Sequence, residues 1–90
     1  MTLTTRHSYR SKHEIILQIL QSIGEQGAGI TKVFYGSTKS YDQCKEYLVE
    51  MTRLELINYD KETRLYQIAP KGKHFMQLYS VLRAQLEDSQ

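Results

Sequence analysis

From Lys39 to Lys45 the chain carries two ammonium groups, two hydroxyls (Ser40 and Tyr41) and a carboxamide (Gln43), with one carboxylate (Asp42) and one thiol (Cys44) among them. Ammonium groups neutralise oxyanions. A carboxamide both donates and accepts, so one glutamine can make two parallel hydrogen bonds to a planar partner. This is the chemistry of holding a polar, anionic surface, and it contains no nucleophile–base pair. Further cations lie elsewhere. Residues 1–13 hold Arg6, Arg10 and Lys12, with His7 and His13, and no acid; Lys61 and Arg64 begin and end "KETR" (61–64); Lys71 and Lys73 follow Pro70. Any one of these is most simply a solvated surface charge, and only their joint placement carries an argument.

Other chemistries find no support. "GEQGAG" (24–29) is not followed by Gly-Lys-Ser/Thr, so it is not a phosphate loop. His7, His13 and His74 lack the spacing of zinc ligands. Cys44, the single cysteine, falls on an apolar helical stripe and reads as a small core residue. No Ser, His and acid arrangement stands out. The expectation is a protein that is not an enzyme, takes no cofactor or metal, and has no evident small-molecule ligand.

The elements that must position the polar run follow from pattern. The chain has 90 residues, 40% of them hydrophobic, and a formal charge of +2, which predicts one domain with a modest core. One cysteine allows no internal disulfide and fits a reducing cytoplasm. No apolar run reaches the roughly 18 residues of a membrane helix, and the N-terminus does not read as a secretory signal. "SKHE" sets Ser11 three residues before Glu14, a capping box that opens a first helix bearing Ile15, Ile16, Ile19, Leu20 and Ile23 on one face. Gly24 and "GAG" (27–29) end it. Thr31 is expected to cap a short second helix, with Val33 and Phe34 inward and Gly36 breaking it. Ser40 and Gln43 repeat the capping logic for a third helix over roughly 41–54, whose buried face is Cys44, Tyr47, Leu48, Met51 and Leu54. "LINY" (56–59) and "RLYQI" (64–68) read as a β-hairpin with its tip at 60–63, Tyr66 and Ile68 facing the core and Leu65 and Gln67 facing away. Pro70 starts a last helix with Phe75, Leu78, Tyr79, Leu82 and Leu86 as its apolar stripe.

The fold class is therefore mainly α with a small β-hairpin (α+β). A short helix turning tightly into a capped helix, followed by a hairpin, is a winged helix-turn-helix with a long C-terminal helix. The parts are a basic N-terminal arm at 1–10, the winged domain at 11–69, and the C-terminal helix at 70–90. In such modules the first turn of the third helix enters the DNA major groove.

The segments "IILQIL" (15–20), "GITKVFYGSTKSYDQCKEYLVEM" (29–51), "LELINYD" (54–60) and "YQIAPKGKHFMQLY" (66–79) together resemble the archaeal winged helix-turn-helix proteins, small one-domain regulators and chromatin-type DNA binders. The resemblance implies double-stranded DNA binding without enzymatic activity, and dimerisation through the C-terminal helix. Expected contacts divide by chemistry. Ser40, Tyr41 and Gln43 could reach base edges. Lys39, Lys45, Lys61 and Arg64 would hold phosphates, with Thr31 and Lys32 near the backbone and Arg10 and Lys12 in or beside the arm. Tyr41 has two readings, a base contact or a ring packed under the helix start. Tyr35, Tyr47, Tyr59 and Tyr66 read as core or rim aromatics. Asp42, Glu46 and Glu50 do not welcome phosphates, although Asp42 in the first turn complements the helix dipole.

The last helix has more apolar positions than one domain needs, so Met76, Tyr79, Arg83 and Leu86 are expected at a twofold homodimer interface. A protein of this kind would be cytoplasmic and associated with the nucleoid. The competing reading is a winged-helix module that binds protein and no DNA.

Overall fold

The structure, a computed structural model, describes residues 11–88, and the side chains of residues 11–86. The basic arm 1–10, Arg10 included, lies outside the described residues. Ser11 opens helix α1 (Lys12–Ile23). Its hydroxyl accepts from the Glu14 backbone N–H at 3.2 Å, and the Glu14 carboxylate accepts the Ser11 N–H at 3.0 Å. Two backbone donors with no helical partner are thereby satisfied. Ile15, Ile16, Ile19, Leu20 and Ile23 form the spine of the core, and Gly24 closes the helix at φ +67°.

Helix α2 (Ile30–Ser37) departs from expectation at both ends. Gly29, not Thr31, occupies the N-cap, and Thr31 is an exposed residue of the first turn. The cause is a β-bridge: Ala28 donates to the Tyr66 carbonyl at 3.0 Å and accepts the Tyr66 N–H at 2.8 Å. The chain is held extended up to Gly29, and the helix begins immediately after. Gly36 does not break α2 but lies within it. A side chain there would run into Ser22 of α1, so glycine lets the two helices approach closely.

Helix α3 (Tyr41–Arg53) starts at Ser40, whose hydroxyl accepts the Gln43 backbone N–H at 3.2 Å. Cys44, Leu48 and Met51 are fully buried and Tyr47 is half-buried. Leu54, expected on that face, is 43% exposed. It is the C-cap, where the chain has already left the helix. Leu56 N–H then returns to the Met51 carbonyl at 2.9 Å and Glu55 N–H to that of Thr52 at 3.0 Å, with Glu55 at φ +66° in a position usually filled by glycine.

Strands β1 (Ile57–Asp60) and β2 (Leu65–Ile68) pair antiparallel, Ile57 opposite Ile68 and Tyr59 opposite Tyr66. The tip is residues 61–64, one later than the sequence pattern indicates. Ile57 is buried, while Tyr66 and Ile68 pack half-buried on the core. Pro70 begins helix α4 (Pro70–Asp88), 19 residues and so about 28 Å long. Phe75 and Met76 pack on the core. Leu78, Leu82 and Leu86, expected to share the buried stripe with Phe75 and Tyr79, are exposed, as is Val81. The reason is rotational. Met76, Tyr79 and Arg83 line the groove against Leu17 and Gln21 of α1, and at 100° per residue Leu78, Val81 and Leu82 lie roughly a quarter-turn or more around the helix.

Candidate nucleic-acid interface

What α3 keeps in solvent is as specific as what it buries. With Cys44, Leu48 and Met51 inward, Lys39, Ser40, Tyr41, Gln43 and Lys45 are all exposed around its start. The turn before it is held from within: Thr38 is buried, and its hydroxyl donates to the Ser40 carbonyl at 3.3 Å. Burial pushes the Cys44 thiol above its ordinary pKa, partly offset by a hydrogen bond from Thr38. The cysteine is thus part of the support under the turn, consistent with a core role.

Tyr41 combines its two readings. Its ring meets Phe34 of α2 edge-on, with centroids 5.6 Å apart, yet the residue stays 46% exposed. The Lys45 ammonium lies 5.7 Å from the Tyr41 ring centroid, within cation–π range. One flank of α3 therefore presents a phenol and an ammonium side by side, the phenol seated against Phe34 of α2. Tyr35 meets the same Phe34 with tilted rings, centroids 5.1 Å apart, and is 80% exposed. The sequence pattern places it in the core or rim, because its spacing from Val33 does not reveal which way so short a helix is rotated. Tyr59 is 44% exposed, its ring tilted against Tyr66, while Tyr47 and Tyr66 are half-buried.

Thr31 and Lys32 occupy the exposed first turn of α2. Lys61 and Arg64 are exposed at the hairpin tip. Asp60 organises that tip: its carboxylate accepts the Glu62 N–H at 2.9 Å and its carbonyl accepts the Arg64 N–H at 2.7 Å. Arg64 sits at φ +61°, a conformation that costs a residue with a Cβ about 1–2 kcal/mol. Lys12 stands apart from the Lys39–Lys45 group. It lines a shallow depression with Glu46, Tyr47 and Glu50, on the opposite flank of α3. Lys71 lies 3.6 Å from Glu55, a pair between exposed groups.

A family model described as winged helix-turn-helix matches residues 9–87. The chain belongs to the winged helix-turn-helix family. Among solved structures, the winged helix-turn-helix here is similar to Sso10a-2, titled a DNA-binding protein from Sulfolobus solfataricus. The identity is 27% with a TM-score of 0.71, over 89% of this chain and 88% of that one. No curated protein matches the sequence. The match to Sso10a-2 thus covers nearly the whole length of both chains. Among the described residues, no helix is long and apolar enough to cross a membrane, and no group of His, Cys, Asp and Glu converges as metal ligands would.

Proposed function

We propose that this winged helix-turn-helix protein binds double-stranded DNA as a homodimer and serves as a transcription regulator or an architectural protein of the nucleoid, acting by binding and not by catalysis. The observation that carries the reading is the open start of α3. Ser40, Tyr41 and Gln43 are exposed on the helix that such folds lay in the major groove, between Lys39 and Lys45. The similarity to Sso10a-2, a DNA-binding protein matched over nearly its whole length, adds support. In this reading Ser40, Tyr41 and Gln43 touch base edges. Lys39, Lys45, Lys61 and Arg64 hold phosphates, Thr31 and Lys32 meet the backbone, and Lys12 works with Arg10 of the arm.

The dimer joins through α4. The exposed Leu78, Val81, Leu82 and Leu86 supply its apolar contact, with Tyr79 and Arg83 at its edge and Met76 committed mainly to its own domain. Two third helices would then face half-sites one DNA turn apart, or a multiple. The test is titration of a random-sequence 20-base-pair duplex, followed by fluorescence anisotropy at rising salt. About five phosphates neutralised per subunit predict a slope of log affinity against log salt near −4.5, steeper for the dimer. Absence of binding at low salt would replace this reading with the protein-binding one.

A further inference from the structure

We propose that the outer line of α3, formed by Asp42, Glu46 and Val49, is a base-reading strip that takes cytosine amino groups and a thymine methyl. The inference rests on the DNA-binding reading above and concerns which residues give it specificity. At 100° per residue, the side opposite Cys44, Leu48 and Met51 is occupied by Asp42, Glu46, Val49 and Arg53. Arg53 is tied back to Glu50 in a salt bridge at 2.5 Å. Val49 is 69% exposed although it sits in mid-helix. A β-branched residue there gains no burial and is a poorer helix former than alanine.

A helix laid in the major groove turns its outer line to the base edges and its flanks to the two phosphate walls. The flank toward α2 carries Lys45, which suits a wall, beside Tyr41 of the first turn. The outer line carries two carboxylates, which suit no wall. The groove floor offers them partners nonetheless: a carboxylate accepts from the cytosine N4 amino group, and an aliphatic side chain packs on the thymine C5-methyl. Asp42, Glu46 and Val49 span seven residues of rise, about 10.5 Å, or about three base pairs at 3.4 Å each. On other sequences the same carboxylates meet acceptors and phosphates and are repelled. The strip thus lowers affinity for random DNA and spares sites with a C·G pair beside a T·A pair, so it acts on the ratio of the two affinities.

The experiment uses the full chain. A preferred duplex is first selected from a randomised pool. Wild type, Glu46→Gln and Val49→Ala are then titrated on that duplex and on random duplex. Glu46→Gln should bind random duplex more tightly and the preferred one more weakly, with the ratio falling about 5- to 150-fold. On the DNA side, uracil in place of the contacted thymine should weaken wild type, and should weaken Val49→Ala less. Unchanged ratios in both variants, or a wild type with no sequence preference, would overturn the strip while leaving DNA binding standing. A wild type that binds no duplex at all would overturn the DNA reading and the strip together.

Discussion

Helices α3 and α4 each present more surface than the domain core uses, and they present opposite kinds. Around its inward line of Cys44, Leu48 and Met51, α3 exposes hydroxyls, an amide and charges, with Val49 the one aliphatic on its outer line. Beyond Phe75 and Met76, α4 exposes Leu78, Val81, Leu82 and Leu86. A hydrated polar face costs nothing in solvent and can exchange its water for phosphates and base edges. A run of exposed leucines gains by being covered, and the natural cover for a repeated apolar stripe is a second copy of itself. In the proposed reading the difference separates two tasks on one small chain, α3 meeting the nucleic acid and α4 a second copy of the protein.

The strongest way to break that division is within α3 itself. Leu48 and Val49 are adjacent, one fully buried and one on the outer line. Leu48→Ala should cost about 2–5 kcal/mol of stability by urea denaturation. Val49→Ala should stay within about 0.5 kcal/mol, since it touches no core. Comparable losses at both would mean that the outer face is packed against something and is not free for DNA.

Next in size is the α4 contact. Leu78→Glu combined with Leu82→Glu should convert a dimer into folded monomers by light scattering at micromolar concentration, because both residues are exposed within one subunit. Loss of the second half-site should weaken binding to a two-site duplex about 100-fold. A wild type already of monomer mass would remove the protein-meeting role of α4.

A smaller effect sharpens the support under the α3 turn. Burial raises the Cys44 pKa in the folded state. The folded thiol then keeps its proton where the unfolded one has lost it, so the contribution is complete below the unfolded value of about 8.5 and declines as pH rises toward the folded value. Stability should fall between pH 8 and 10, and Cys44→Ala should flatten that decline even though it removes some packing. Tyr66, raised by burial and then by Tyr59, acts in the same direction only at higher pH.

Much of the architecture was legible because it is local. The Ser11–Glu14 box, the Ser40 cap, Pro70 at a helix start and the hairpin alternation each depend on residues within a few positions of one another. What escaped is set across the fold. The Ala28–Tyr66 bridge moved the α2 cap to Gly29, and the Ser22 contact turned Gly36 from a breaker into a spacer. The rotation of α4 on α1 decided that Met76 and Tyr79 face the domain while Leu78 and Leu82 do not. At the candidate interface the residue types and their exposure around Ser40 were readable from the cap and the buried stripe. The Tyr41–Lys45 pair is local, four residues apart on one helix, but the seating of Tyr41 against Phe34 and the exposure of Tyr35 depend on how α2 lies against α3 and carry no signal in spacing.

The central claim is that α3 and the hairpin tip hold DNA, and phosphate counting tests it most directly. The salt slope of duplex binding should be measured for wild type and for Lys45→Ala combined with Arg64→Ala. Each lost phosphate contact removes about 0.9 from the slope, so the double variant should be shallower by about 1.8, with weaker binding to every sequence. An unchanged slope would contradict the account, since the cations that neutralise phosphate would then lie elsewhere on the protein.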